Sequence, residues 1–123
     1  MKKKLLMAAT LGLAALGFNA FAHGGAKPQH GGIVQAAGDL SFELVAQGET
    51  AALYVVDHDK PADVGGMSGK MTVLSGSTKA EAALKPAAGN RLEAAAKLTA
   101  GAKVVALVTL PGGKAITVRF AVR

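Results

Sequence analysis

Apolar and polar residues alternate along most of the chain beyond residue 32, and this period of two predicts β-strands. In residues 40–46, large apolar side chains occupy every second position up to residue 44, and polar residues lie between them. Residues 115–122 repeat the alternation, with apolar side chains at the even positions. Residues 52–57 are apolar on both faces, which is typical of a central strand.

Glycine, proline and short polar residues interrupt these runs every eight to twelve residues, as tight turns between strands require. The clearest turn is Pro111-Gly112-Gly113-Lys114, which predicts a hairpin between the last two strands. The strands predicted in this way are residues 33–37, 40–46, 52–57, 70–74, 79–85, 91–95, 103–110 and 115–122. About seven or eight short antiparallel strands predict one all-β domain, a β-sandwich of immunoglobulin-like build.

Residues 80–98 also suit a helix, because they are rich in Ala, Glu, Lys and Leu. Pro86 and the pair Gly89-Asn90 would divide that helix into pieces too short to be stable alone. We therefore favour strands in this region.

The first 22 residues have the three parts of a secretory signal peptide. Lys2-Lys3-Lys4 forms a positive start, residues 5–18 are almost continuously apolar, and Ala20-Phe21-Ala22 fits the cleavage rule of signal peptidase. The apolar run is shorter than the roughly 20 residues of a spanning helix, so a retained anchor is the less favoured alternative. We expect cleavage between Ala22 and His23, export to the bacterial periplasm and no membrane insertion after cleavage.

The chain then divides into a signal peptide (1–22), a flexible arm rich in histidine and glycine (23–32) and the β-sandwich domain (33–123). Without the signal peptide, 11 basic and eight acidic residues remain, a net charge of +3. The basic residues form no cluster and aromatic residues are few, which argues against nucleic-acid binding. The chain has no cysteine, so disulfides and thiolate chemistry are excluded.

Catalytic motifs are missing from the sequence. The serines have no recognisable nucleophile context, the acidic residues are scattered, and the pairs Gly24-Gly25 and Gly31-Gly32 flank histidines instead of opening a helix. We expect a protein that is not an enzyme.

Metal-ligand chemistry is concentrated between residues 23 and 71, which hold all three histidines. Cleavage after Ala22 would make His23 the N-terminus, and its α-amine and imidazole together form a chelate suited to Cu(II). His30 offers a third nitrogen, with the intervening glycines letting the chain fold back. The alternative is a plain flexible leader, in which only His30 lies close to the folded domain.

Two further groups are candidate ligands. His58 lies between Asp57 and Asp59 at the end of a predicted central strand, where a carboxylate can bind the ion or support a metal-bound imidazole. The alternative is a turn ahead of Pro61. Met67 and Met71 carry thioethers suited to Cu(I); the alternative is that both fill the core.

Four pieces of the chain, in this order and spacing, resemble a family of small exported proteins and domains linked to heavy-metal efflux. They are His30-Gly31-Gly32, Phe42-Glu43-Leu44-Val45, Leu53-Tyr54-Val55-Val56-Asp57-His58 followed by Lys60-Pro61, and Val118-Arg119-Phe120. Members of this family occur alone or near the N-terminus of the periplasmic adaptor subunits of RND-type cation-efflux pumps. The resemblance implies a periplasmic β-sandwich that binds or hands over copper, zinc or cobalt, with an efflux adaptor as its partner.

The sequence thus predicts a soluble periplasmic metal-binding accessory or carrier protein, with copper or zinc as its ion. Its predicted ligands are His23, His30, His58 with Asp57, and the optional soft ligands Met67 and Met71. One alternative is a metal-independent module that docks an efflux adaptor or another envelope protein through its sheet surface. A weaker one is a copper-dependent redox enzyme that uses His23.

Overall fold

The computed structural model describes residues 27–123, which form nine antiparallel strands and no helix. The strands are β1 (Ile33–Ala37), β2 (Leu40–Gln47), β3 (Thr50–Asp57), β4 (Lys60–Pro61), β5 (Ser68–Ser75), β6 (Thr78–Pro86), β7 (Arg91–Ala94), β8 (Lys103–Thr109) and β9 (Ala115–Ala121). The prediction of an all-β antiparallel fold is confirmed. The predicted signal peptide and His23 lie outside the described residues.

The strands follow one another across a single sheet in the order β1-β2-β3-β7-β6-β5-β8-β9, and β4 pairs with β3 beside this path. The sheet curls until β1 and β9 approach each other, so it is nearly closed like a barrel. Only Lys85 and Pro86, at the end of β6, pair with β7, whereas the rest of β6 pairs with β5. The two halves of the sheet are therefore joined through a short contact.

The inner face of the sheet is lined by the apolar residues that the alternation predicts. Phe42, Leu44, Leu53, Met71 and Leu92 are among the largest side chains that solvent does not reach. On β9 the even positions face inward, since Val118 and Phe120 are buried while their odd-numbered neighbours are exposed. Burial of these side chains is the main favourable term in folding a chain without disulfides.

Residues 80–98 form β6 and β7 instead of a helix, as predicted. One difference concerns Lys60-Pro61, which lie outside the strands predicted from the sequence. These two residues pair with Val56 and Asp57 and so form the short strand β4. A proline is tolerated there because β4 lies at an edge, where the absent N–H of Pro61 interrupts no central ladder.

The outer face of β2, β3 and β7 places a row of polar side chains next to each other. The strand register aligns Glu43 with Tyr54, and Tyr54 with Arg91. Residues 29–32, which precede β1, lie over Glu43 and Tyr54 of this row. No helix within residues 27–123 is long and apolar enough to cross a membrane.

Candidate functional site

Glu43 is the one charged residue among residues 27–123 that is buried, with 5% of its surface exposed. Its position on β2 faces away from the apolar core, because Phe42 and Leu44 on either side occupy the inner face. The burial of Glu43 comes instead from residues 29–32, which lie across it and bind it. Residues 29–32, which have no hydrophobic periodicity, thus cover the Glu43 carboxylate.

Four hydrogen bonds hold this segment to Glu43. The backbone amide of Gln29 donates to Oε1 at 2.9 Å, and the amides of His30 and Gly32 donate to Oε2 at 2.9 and 2.8 Å. The fourth donor is Nδ1 of His30, 3.1 Å from Oε1. Because hydrogen bonds to an ionised acceptor are about twice as strong as neutral ones, this carboxylate is the main anchor of the segment.

These contacts also keep Glu43 ionised. Burial raises the pKa of the Glu43 carboxyl, but the backbone amides of Gln29, Gly32 and His30 and the His30 ring all stabilise its charged form. The hydrogen bonds outweigh the burial, so the pKa lies below its ordinary value of 4.5. At neutral pH the site therefore contains a carboxylate.

The His30 ring is fixed in two ways. A carboxylate can only accept, so Nδ1 of His30 carries the hydrogen that faces Glu43. The ring also stacks on Tyr54, with a centroid separation of 3.6 Å and an angle of 7° between the planes. In the neutral ring the lone pair then belongs to Nε2, and the side chain is 41% exposed.

The two glycines after His30 let the segment turn and come close to β2. Gly31 adopts a φ of 74°, a conformation that side chains with a Cβ rarely adopt. At Gly32 a Cβ would lie 2.2 Å from the backbone oxygen of Leu44, so a side chain there would push the segment away from the strand. His30-Gly31-Gly32 therefore fits a carboxylate-binding turn at the start of the domain.

An open cavity of about 660 Å³ lies beside the His30 ring. Lys27, Gln29 and His30 line one part of it, and Tyr54 and Val56 of β3 line another. The hairpin of β3 and β4 contributes Asp59 and Pro61. The imidazole of His30, carboxylates and the lysine Lys27 thus share one surface depression.

His58, like His30, has a carboxylate partner, but its pair is largely exposed to solvent. Its Nδ1 lies 2.5 Å from Oδ1 of Asp57, and the two side chains are 73% and 53% exposed. His58 occupies the turn between β3 and β4 with a φ of 51°. The predicted pairing of His58 with Asp57 is present, but solvent surrounds it and competes with it.

The remaining predicted ligands are placed apart from one another. Met71 is fully buried and Met67 nearly so, and both belong to the apolar core. His23 is not among the described residues, so the predicted sharing of one ion by His23 and His30 stays a prediction. Within residues 27–123, no group of three or more His, Asp or Glu side chains lies close enough together to hold a metal ion.

Glu43 and Tyr54 both flank His30 in the structure, although the sequence pattern indicates no site role for either residue. The alternation places Glu43 on the solvent side of its strand, where a glutamate is ordinary. A usable signal was the pair Gly31-Gly32 directly before a strand, because glycine permits close approach of two backbones. The chain matches no protein-family model, no curated protein and no solved structure.

Proposed function

We propose that this protein is a soluble periplasmic metal-binding accessory or carrier protein for copper, zinc or cobalt, with His30 as its central ligand. The observation that carries the proposal is the hydrogen bond between Nδ1 of His30 and the buried Glu43 carboxylate. Metal-ligating histidines usually donate their other ring N–H to such a group, which fixes the tautomer and strengthens the ligand. Nε2 of His30 is the nitrogen that would bind the ion.

His23 is the second proposed ligand. The length of the connection supports this, because His23 lies four positions before Lys27 at the cavity, and an extended chain spans at most about 14 Å over four positions. A terminal His23 would add an α-amine and an imidazole, which together with Nε2 of His30 suit Cu(II). The lack of a three-residue ligand group within residues 27–123 makes such an outside contribution necessary.

The proposed mechanism is binding and delivery without turnover. An ion at Nε2 of His30 would be reachable from solvent, because the cavity is open and the ring is partly exposed. A receiving protein such as a cation-efflux adaptor could then replace protein ligands one at a time. Export, the periplasmic location and membership of the efflux-linked family belong to this proposal as well.

Calorimetric titration of residues 23–123 with Cu(II) and with Zn(II) tests the metal proposal. We expect saturable binding, and a loss of affinity of tenfold or more, about 1.4 kcal/mol, in His30→Ala. The matched control is His58→Asn, which removes the other carboxylate-paired histidine, while asparagine tolerates the left-handed backbone of that turn. Equal affinity of wild type and His30→Ala for Cu(II) and Zn(II) would contradict the metal proposal.

A metal-independent interaction module remains the second candidate, because Leu74 and Leu107 are large apolar side chains about 40% exposed on the sheet. Both lie on the outer face of β5 and β8, where Lys70 pairs with Leu107 and Leu74 pairs with Lys103. This candidate predicts that Leu107→Lys abolishes capture of the adaptor while His30→Ala has no effect. The opposite pattern supports metal delivery.

For the fold, we propose the immunoglobulin-like sandwich that the strand pattern predicts. The short contact of β6 with β7 supports it, since it divides the sheet into two halves that can pack face to face. Hydrogen exchange of the β1 and β9 backbone amides tests the assignment. Strong protection along both facing edges would indicate a closed barrel instead.

The export proposal is tested by mass measurement of the protein recovered from the periplasmic fraction. A chain that begins at His23 supports both the signal peptide and the chelating terminus. A chain that begins elsewhere removes the α-amine from the ligand set, and the His30 proposal then stands on its own.

A further inference from the structure

One long edge of the sheet has no neighbouring strand. β6 pairs with β5 from Thr78 to Leu84, whereas only Lys85 and Pro86 at its end pair with β7. On the side away from β5, no strand of residues 27–123 pairs with residues 78–84. Most of these residues are exposed, whereas the outermost strands of the sheet, β1 and β9, lie against each other. β6 therefore presents an open backbone edge to solvent over most of its length.

The open edge of β6 carries unpaired backbone groups at every second residue. Ser75 pairs with Thr78, so a two-residue loop joins β5 to β6. In such a hairpin the residues that flank the loop bond to each other through both backbone groups, and this pattern repeats at every second position. The N–H and C=O groups of Lys79, Glu81 and Ala83 thus point away from β5, and no turn or loop of the described chain bonds to them. An edge of this kind is a template for pairing with another chain.

The charges on β6 exclude most ways of pairing it with a second copy of itself. In a symmetric antiparallel pair, the outward-pointing odd-numbered residues lie opposite odd-numbered residues of the other copy, so the symmetry axis passes through one residue position. An axis at Lys79 or Glu81 brings two like charges directly together, and an axis at Ala82 places Lys79 opposite Lys85. Like charges directly opposite each other destabilise a strand pair. An axis at Ala83 needs the edge of Lys85, which β7 already occupies.

An axis at Ala80 suits both the charges and the side-chain sizes. It places Lys79 of each copy opposite Glu81 of the other, which gives two pairs of opposite charge. The contacts of Glu81 within its own chain are loose, because its carboxylate lies 3.6 Å from the nitrogens of Lys70 and Lys79 and the three side chains are 44–61% exposed. On the inner face, Ala80 is exposed although it pairs with the buried Val73. In this register the two copies of Ala80 would lie opposite each other, and their small side chains leave room for the strands to approach.

We propose that the protein forms a homodimer in which two β6 strands pair antiparallel around Ala80 and join the sheets of the two copies. Residues 78–82 of each copy take part, because the pairing extends from Ala80 to the turn before Thr78. So short a contact belongs to the small, transient class of interfaces, and we expect a dissociation constant between about 1 µM and 1 mM. The inference does not rest on the proposed metal site, since no residue of β6 lines the His30 cavity.

Sedimentation equilibrium of residues 23–123, which contain the whole described domain, tests the dimer at protein concentrations up to about 1 mM. We expect reversible association of wild type. Lys79→Glu and Glu81→Lys should each weaken it about tenfold or more, because each change places like charges opposite each other twice. An equimolar mixture of the two variants should restore association, since every charge of one variant then faces an opposite charge of the other. A purely structural effect of either substitution does not produce this rescue.

Lys103→Glu is the matched control, because Lys103 is an exposed lysine on β8, away from β6. It makes the same change of charge and should leave association unchanged. Hydrogen exchange at the amides of Lys79 and Glu81 should also become slower at the concentrations at which the dimer forms. A chain that stays monomeric at about 1 mM would overturn the inference. A mixture of the two β6 variants that fails to associate, or equal weakening by Lys103→Glu, would overturn it too.

Discussion

Glu43 accepts hydrogen bonds from both the backbone amide and the ring Nδ1 of His30, at 2.9 and 3.1 Å. One carboxylate thus controls where the chain before β1 lies and which nitrogen of the imidazole faces the cavity. The same side chain is buried where that chain segment binds it. Local folding of residues 29–32 and orientation of the candidate ligand therefore depend on a single residue.

Removing the Glu43 carboxylate should detach the segment. Glu43→Ala is expected to lower the free energy of unfolding by about 2–3 kcal/mol, because it loses several hydrogen bonds to a charged group. Urea unfolding measures this loss. Hydrogen exchange should show faster exchange of the amides of Gln29, His30 and Gly32, with the amides of β3 unchanged.

The control for Glu43→Ala is Glu49→Ala. Glu49 is highly exposed and has Lys97 as its partner at 3.9 Å, so its loss should change stability by no more than about 0.5 kcal/mol. Equal stability changes in the two variants would mean that the Glu43 contacts contribute little in solution.

The lowered pKa of Glu43 predicts a specific dependence of stability on pH. Since the carboxyl titrates at a lower pH in the folded chain than in the unfolded chain, its stabilising contribution is complete above the ordinary value of 4.5. The contribution is lost as the pH falls through the folded pKa, because protonation removes the charge that the amides bind. Wild type should therefore be more stable than Glu43→Gln at pH 7, and this difference should shrink below about pH 4.5.

Chemical denaturation of both proteins across pH 3–7 at constant ionic strength measures this difference. All other acidic residues are shared by the two chains, so their titration cancels. A difference that stays constant over the whole range would contradict the assigned direction of the Glu43 pKa.

The strands other than β4 were predictable because each of them has a local signature. Alternation of apolar residues and turn glycines places β8 and β9 within one residue of their observed ends. The burial of Glu43 was not predictable in this way, since it arises from residues 11 to 14 positions away in the chain. The strand β4 was missed for a related reason, because pairing of Lys60 with Asp57 depends on His58 and Asp59 both adopting positive φ.

The candidate site, too, was only partly predictable from the sequence. His30 stands out in the sequence as a histidine beside glycines. Its partners Glu43 and Tyr54 are contributed by two neighbouring strands, and only the strand register brings them to the same place. Asp59 reaches the cavity from a hairpin whose turn type the sequence does not favour.

Glu43 should also control metal affinity through His30. Glu43→Gln keeps the size of the side chain but removes the charge that orients the ring and strengthens Nε2 as a ligand. We expect Zn(II) affinity to fall about 10–100-fold, the usual effect of removing a carboxylate partner of a ligating histidine. Calorimetric titration at pH 7 measures the change, and Asp57→Asn, which removes the carboxylate partner of His58, serves as the matched control.

Gly32 should tolerate no side chain, whereas Gly38 should tolerate one at a smaller cost. In Gly32→Ala the Cβ would lie 2.2 Å from the Leu44 oxygen, so the segment must move off β2 and lose its bonds to Glu43. We expect the free energy of unfolding to fall by about 2–3 kcal/mol, together with faster amide exchange at Gln29 and His30.

Gly38→Ala is the control. Its Cβ would meet open space at a φ of 63°, so only the backbone cost of about 1–2 kcal/mol applies and amide exchange at Gln29 and His30 stays slow. Slow exchange in both variants would show that the close approach at Gly32 is not needed for the Glu43 contacts.

Substitutions of Met71 distinguish a role in core packing from the predicted role as a soft metal ligand. Its side chain is fully buried on β5, where the register places it against Ala82 of β6 and Ala106 of β8. Met71→Leu keeps apolarity and approximate volume but removes the thioether, so it should cost less than about 1.5 kcal/mol. Met71→Ala leaves a cavity and should lower the free energy of unfolding by about 2–5 kcal/mol.

Because the thioether lies inside the core, Met71→Leu should bind Cu(II), Zn(II) and Cu(I) as tightly as wild type. Titration measures these affinities, under anaerobic conditions for Cu(I). A selective loss of Cu(I) binding in Met71→Leu, with stability retained, would show that the core opens to deliver this sulfur to the ion and would restore Met71 as a ligand.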